Sequence, residues 1–161
     1  MVIGGEMAKI VVAVCGSFDP FRIGHLEHIK RAKQLGDWLI VMINPDADLV
    51  RKRGNPDLVC QPIGERYEIL KAIKYVDQVV IGIDNDGTMA KTILMIKPDI
   101  LAKGGDRTSQ TMPKSEIDVC EQIGCKIVYG IGDTLSSSTN LIKRLHEYTG
   151  QIQHEPSGDF K

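Results

Sequence analysis

The chain has 161 residues and a formal net charge of −1, with 42% hydrophobic but only 5% aromatic residues. This length is typical of one domain. The near-zero charge provides no global field for a polyanion, so any anionic ligand must be held by a local cluster of positive groups. The scarcity of aromatic rings argues against a base- or sugar-stacking surface, and no nucleic-acid partner is expected.

Targeting and redox features are equally sparse. No apolar stretch approaches the roughly 18 residues of a membrane-spanning helix, and residues 1–6 are too weakly apolar for a signal peptide. We therefore expect a cytoplasmic protein with no membrane partner. The four cysteines have no C-x-x-C spacing, which indicates reduced thiols, and no protein-held metal is expected. Cys15, inside an apolar run, is interpreted as a small core residue.

Apolar runs and amphipathic stretches alternate from end to end of the chain. The runs predict strands over residues 10–15, 38–43, 78–83, 100–102 and 127–129. Helical spacing of apolar residues predicts helices over residues 25–35, 63–73, 89–96, 115–123 and 138–148. The basic stretch Arg51-Lys52-Arg53, which follows the second strand, is interpreted as a loop.

Strand–helix alternation repeated five times predicts an α/β, Rossmann-like fold, namely an open parallel five-stranded sheet with helices on both faces in a single domain. We expect an N-terminal extension over residues 1–8, the domain over 9–149 and a polar C-terminal tail over 150–161. Ligands of such sheets bind outside the carboxyl ends of the strands. The loops that follow the strands are therefore the candidate site.

The loop after the first strand carries the strongest local signal. Gly16 permits a sharp exit, Asp19-Pro20 predicts a turn, and Gly24-His25 opens the next helix. Free N–H groups at a helix start suit a phosphate, and a histidine there can donate to a phosphate oxygen. From the residues alone, His25 could equally cap or pack.

Five segments in order resemble the cytidylyltransferase-like nucleotidyltransferases. Residues 16–25 resemble the G-x-F-D-x-x-H-x-G-H signature, and residues 35–46, 64–66, 97–106 and 136–142 resemble the family's later motifs. Within the family, the wording is most similar to the adenylyltransferase domain of ADP-heptose synthase, with glycerol-3-phosphate cytidylyltransferase and archaeal FAD synthetase further off.

The resemblance implies transfer of a nucleoside monophosphate to a phosphorylated sugar or polyol such as heptose 1-phosphate, with release of pyrophosphate. It favours ATP, leaves CTP open, and implies Mg²⁺ carried mainly by the nucleotide and a homodimer. The implied catalytic residues are His25, Arg22 and Lys52. The implied nucleotide- or phosphate-binding residues are Gly16, Ser17, Phe18, Asp19, Gly24, Arg51, Arg53, Arg66, Lys103, Gly104, Asp106, Ser137, Ser138 and Thr139.

Several of these residues have a simpler alternative. A charge run such as residues 51–53 is usually solvated, Arg66 could form an exposed ion pair with Glu65, and Asp106 could merely form a turn. The hydroxyls of residues 137–139 would cap the last helix in any case. The basic residues are nonetheless expected to reach phosphates because they follow the second strand at the carboxyl edge of the sheet.

One residue departs from the signature. Arg22 stands where the family has its first histidine, and an arginine binds phosphate bidentately but is longer and always charged. Two hypotheses stay open: an active nucleotidyltransferase, or a nucleotide-binding module of the same fold whose catalysis is weak or lost.

Overall fold

The computed structural model describes residues 7–105, 107–132 and 138–152, the last range with side chains from 141 to 149. The strands are β1 (Val11–Gly16), β2 (Trp38–Ile43), β3 (Gln78–Ile81), β4 (Ile100–Ala102) and β5 (Lys126–Val128). The helices are α1 (Ile23–Lys33), α2 (Asp46–Arg53), α3 (Ile63–Lys71), α4 (Ala90–Ile96), α5 (Lys114–Ile123) and α6 (Ser138–Ile152). A short 3-10 helix, Pro56–Leu58, follows α2.

The five strands form one parallel sheet in the order β3-β2-β1-β4-β5. The predicted five-stranded parallel sheet is confirmed. The chain builds outward from β1 to β3 and then crosses to β4 on the other side of β1. Strand order therefore reverses between β1 and β4, and a crevice opens at their carboxyl ends, where such sheets bind ligands.

Alternation along β1 divides the core between the two faces of the sheet. Val12 and Val14 pack with Ile29 of α1 and Leu70 of α3 on one face. Ala13 packs on the other face, in a cluster that draws on α4 and α5. Successive side chains of a strand point to opposite faces of the sheet. A strand whose residues are all apolar is therefore covered by helices on both faces. Helices on both faces, as predicted, are confirmed.

The predicted basic loop after β2 is wrong, because residues 46–53 form α2. The helix starts after Pro45, carries acidic residues in its first turn and basic residues in its last, and ends at Gly54 with φ of 77°. This charge order complements the helix dipole, and a left-handed glycine is a common C-cap. The run of three basic residues is thus the C-terminal turn of a helix.

Other boundaries shift by a few residues. β3 ends at Ile81, two residues earlier than predicted, while α6 continues to Ile152 and so includes the first three residues assigned to the C-terminal tail. Residues 1–6 and 153–161 lie outside the described residues. Within the described part of the chain, no helix is long and apolar enough to cross a membrane.

Candidate active site

A cavity of about 1100 Å³ lies at the carboxyl ends of the central strands, between the β1–α1 loop, the segment after β4 and one side of α6. Small-molecule pockets commonly measure about 300 to 1,000 Å³, so this cavity has room for more than one small ligand. The predicted site residues in its lining are Gly16, Ser17, Phe18, Asp19, Arg22, Gly24, His25, Lys52, Arg53, Lys103 and Gly104. Asp106 and Ser137 lie outside the described residues, as do the side chains of Ser138 and Thr139.

The start of α1 fixes the orientation of His25. Arg22 is the N-cap, and its backbone N–H donates to His25 Nδ1 over 3.2 Å. Because Nδ1 accepts, the proton of the neutral ring is carried by Nε2. The ring lies edge-on to Phe18, with centroids 5.3 Å apart, and 5.6 Å from the ring of Phe21. The Nε2–H of His25 is therefore a hydrogen-bond donor with a fixed orientation at the N-terminus of α1.

The same surroundings keep His25 uncharged. Burial, then the positive charge of Arg22 and that of His28, lower the pKa of His25 to about 4. An imidazole with that pKa is neutral at pH 7, so it offers a hydrogen bond without a charge. Burial also lowers the pKa of the Arg22 guanidinium from its usual value, yet an arginine remains the charged member of the pair.

Asp19 ties the β1–α1 loop to a distant segment. The residue is 1% exposed, and its carboxylate accepts hydrogen bonds from the backbone N–H groups of Cys60 at 3.0 Å and Gln61 at 2.7 Å. Arg53 donates to the same carboxylate, to the Asp19 carbonyl at 2.6 Å and to the Leu58 carbonyl at 2.6 Å. Three hydrogen bonds thus hold Arg53 against the protein, and Asp19 supports the loop.

The structure corrects the position of Arg66. Its side chain is fully buried and lies beneath the cavity rather than in its lining. It donates to the carbonyls of Ser17 and Asn44, both at 2.8 Å, and to Asp46 at 2.5 Å. It is neither an exposed partner of Glu65 nor positioned to bind a phosphate. Its role is to join the ends of β1 and β2 to α2.

Of the three basic residues of α2, Lys52 and Arg53 line the cavity, and Arg53 is paired with Asp19. Arg51 is engaged by Asp48 at 2.6 Å and by the Asn85 carbonyl at 2.7 Å, and it is absent from the lining. Lys52 is exposed, lines the cavity and has no ion pair with any described residue. Lys52 is therefore the residue of this segment whose charge is not paired with a described carboxylate. The prediction that the segment delivers positive charge to the site now rests mainly on Lys52.

The floor of the cavity holds a buried ion pair. Lys103 Nζ lies 2.9 Å from Glu116 Oε2 and 3.0 Å from Cys15 Sγ, and Glu116 Oε1 accepts the Met89 N–H at 3.0 Å. Burial alone would lower the pKa of Lys103, but Cys15 and Glu116 outweigh it and raise that pKa. Cys15 is half-buried: it packs against the core cluster of Ala13, as its apolar surroundings predict, and it also lines the cavity.

Residues 13–144 match the family model described as cytidylyltransferase-like. The chain belongs to the cytidylyltransferase-like family. It is 34% identical over 144 residues to the FAD synthase of Pyrococcus abyssi, covering 86% of this chain and 94% of that protein. It is 36% identical over 138 residues to the bifunctional protein HldE of Syntrophotalea carbinolica, covering 85% of this chain and 27% of that longer protein.

Among solved structures, the crystal structure of the lipopolysaccharide core biosynthesis protein from Thermoplasma volcanium GSS1 is similar, with a TM-score of 0.64 and 29% identity. The similarity covers 78% of this chain and 99% of that one. Together with the relatives above, it confirms the predicted family and fold, and the chain is a nucleotidyltransferase.

Other lining residues of this nucleotidyltransferase escaped prediction from the sequence. Glu116 sits in the first turn of α5, and α6 contributes Ile142, Lys143, His146 and Glu147. The local sequence pattern does not show that these helix positions face the site. The amphipathic spacing of α6 predicts only that one side of the helix is apolar. Within the described ranges, no three His, Cys, Asp or Glu side chains are grouped as a metal site requires.

Proposed function

We propose that this nucleotidyltransferase transfers AMP from MgATP to the phosphate of a sugar 1-phosphate such as heptose 1-phosphate, with release of pyrophosphate. The observation that carries the proposal is the start of α1, where Arg22 and a neutral, Nε2-protonated His25 line a cavity large enough for two ligands. A helix N-terminus with a fixed donor and a fixed cation suits a phosphate whose charge builds during transfer.

The chemistry requires no covalent enzyme intermediate. An oxygen of the acceptor phosphate attacks the α-phosphorus, a new P–O bond forms, and the bond to the β-phosphate breaks with departure of pyrophosphate. Catalysis is then positioning and charge neutralisation. We assign the Nε2–H of His25 and the guanidinium of Arg22 to the oxygens of the α-phosphate. Lys52, which also lines the cavity, is assigned to the β,γ-phosphates.

The choice of ATP rests on the relatives. FAD synthase and HldE recur among them, and a synthase of flavin adenine dinucleotide must add an adenylyl group. The sugar acceptor is supported by the 36% identity to HldE and by the lipopolysaccharide protein of Thermoplasma volcanium.

A second acceptor is favoured by one specific observation. The alignment with the Pyrococcus FAD synthase spans 94% of that protein, whereas HldE is matched over 27% of its length. FMN is itself a phosphate monoester, so the same residues would position it for the same attack. The acceptor pocket, and not the transfer chemistry, separates these two substrates.

Two assays in sequence test the proposal. A thermal-shift series with the magnesium complexes of ATP, CTP, GTP and UTP should show stabilisation by ATP above the others, because selective binding raises the melting temperature by mass action. Pyrophosphate release is then measured with ATP and heptose 1-phosphate, FMN or glycerol 3-phosphate, and the product is identified by mass spectrometry. Preference for CTP would overturn the adenylyl assignment.

Absence of pyrophosphate with every pair would favour the binding-module hypothesis. The variant Arg22→His is assayed whether or not the wild type is active, since it restores the family residue at this position. A large gain in turnover would show that arginine has impaired catalysis, whereas a loss would show that Arg22 belongs to the working site. We expect the loss, and Lys114→Ala, on the exposed surface of α5, is the matched control.

A further inference from the structure

A second histidine of α1, one turn beyond His25, contacts the far wall of the cavity. His28 Nδ1 lies 2.5 Å from the carbonyl oxygen of Ile131, a residue 103 positions later in the chain. A carbonyl oxygen can only accept, so Nδ1 carries the proton and donates it to this bond. His28 and Ile131 both line the cavity.

The backbone around Ile131 is shaped for this contact. Gly130 and Gly132 have φ of 72° and 95°, in the left-handed region that favours glycine. A Cβ at Gly132 would lie 3.1 Å from the His28 Cα, which is tighter than an ordinary contact. A side chain at residue 132 would therefore require the neighbouring backbone of α1 to shift by a few tenths of an ångström, and glycine avoids this.

The Ile131 peptide is also held from the other side. Its N–H donates to the Lys103 carbonyl at 3.0 Å, and the Lys103 N–H donates to the Val128 carbonyl at 2.8 Å. The wall formed by Ile131 and Gly132 is thus fixed between the exit of β4 and the ring of His28. Six residues after Gly132, α6 begins and contributes its own residues to the same cavity.

We infer that His28 is a positioning residue for the nucleotide: its bond to Ile131 fixes the wall of residues 131–132 against the start of α1, where the phosphates bind. The inference rests on the proposed function for the identity of the ligand, but the bond itself can be tested without activity. His28 acts through Ile131 and does not take part in the chemical step.

Three variants isolate the bond. His28→Ala removes the donor, whereas His28→Asn places an amide N–H near the position of Nδ1 and should restore the contact. Lys30→Ala, an exposed change on the same helix, is the matched control. Hydrogen exchange is measured in the peptide that spans residues 127–132, and kcat and KM for MgATP are measured with whichever acceptor gives pyrophosphate release in the assay described under the proposed function.

In H28A we expect faster exchange in residues 127–132 and a KM for MgATP raised about five- to tenfold, with kcat little changed, as for loss of one hydrogen bond that supports ground-state binding. H28N and K30A should resemble the wild type in both measurements. Unchanged exchange in H28A, or faster exchange with an unchanged KM, would overturn the inference, as would equal defects in H28A and H28N. If the wild type turns over no nucleotide, the proposed function fails. The exchange data then still show whether the bond between His28 and Ile131 holds residues 131–132 in place.

Discussion

Arg53, in the last turn of α2, forms an ion pair with Asp19 in which the Asp19 side chain is fully withdrawn from solvent and the Arg53 side chain is 15% exposed. The two residues are 34 positions apart, and the pair closes the β1–α1 loop onto the segment after α2. A buried pair contributes little net stability when intact, but removal of one partner leaves an uncompensated buried charge. This relationship makes the conformation of the β1–α1 loop depend on a residue of α2.

Asp19→Asn should therefore destabilise the protein by about 3 kcal/mol, because the Arg53 guanidinium loses its counter-charge while remaining largely buried. The measurement is urea denaturation followed by circular dichroism. Asp118→Asn, which breaks the exposed pair of Asp118 with Lys114, serves as the control and should change the midpoint little. Equal effects of the two changes would contradict a special role for burial.

Stability should fall in mild acid because of His25. The pKa of His25 is about 4 in the folded protein against an ordinary value of 6.5, so between these values the unfolded chain binds the additional proton. The free energy of unfolding therefore decreases as the pH falls from about 6.5 to about 4, and it is unaffected by this group above pH 7. Denaturation curves at a series of pH values should show this slope in the wild type and a reduced one in His25→Gln.

Lys103 and Glu116 should prove strongly coupled. Lys103→Met leaves the Glu116 carboxylate buried without its cation and should cost about 3 to 5 kcal/mol of stability. The double variant, which combines Lys103→Met with Glu116→Gln, should be less damaging than the sum of the single changes, since neither buried charge is left alone. A thermal or urea double-mutant cycle measures the difference, and simple additivity would disprove the coupling.

Arg22→Lys tests how the guanidinium is used. A lysine keeps the charge but loses the planar fork that grips two phosphate oxygens, so kcat/KM for MgATP should fall about tenfold. Since the Arg22 backbone makes the N-cap contact with His25, that contact should survive the change. The measurement is steady-state kinetics of a variant whose melting temperature is unaltered. Full activity would show that the positive charge alone is sufficient for catalysis.

The sheet and the faces of its helices could be predicted because they follow from local apolar patterning. Buried runs such as residues 38–43 need no tertiary information to be recognised as strands. α2 was missed because its polar composition lacks an apolar face, although the acidic first turn, the basic last turn and Gly54 together were available signals.

The site was harder to predict because proximity in the sequence does not show which charged side chains are neutralised by other residues of the protein. Arg51, Lys52 and Arg53 are adjacent, yet Asp48 pairs with Arg51 and Asp19 pairs with Arg53, so Lys52 is the one of the three that has no ion pair with a described residue. Arg66 matched a motif and proved to be a buried brace. Glu116 belongs to no recognised motif. It lies at the cavity floor, bonded to Lys103, because the connection from β4 to β5 folds as α5 beside the sheet.

The braces of the β1–α1 loop also bear on the order in which the molecule matures. Ser17 and Asp19 leave the ribosome some 30 to 50 residues before the partners that hold them, Arg53 and Arg66. A nascent chain that ends near Gly36 would thus carry the whole signature in an unrestrained form. Docking of α3 should restrain this loop, but the complete cavity forms only after α6 has been synthesised, because the segment after β4 and α6 also line it.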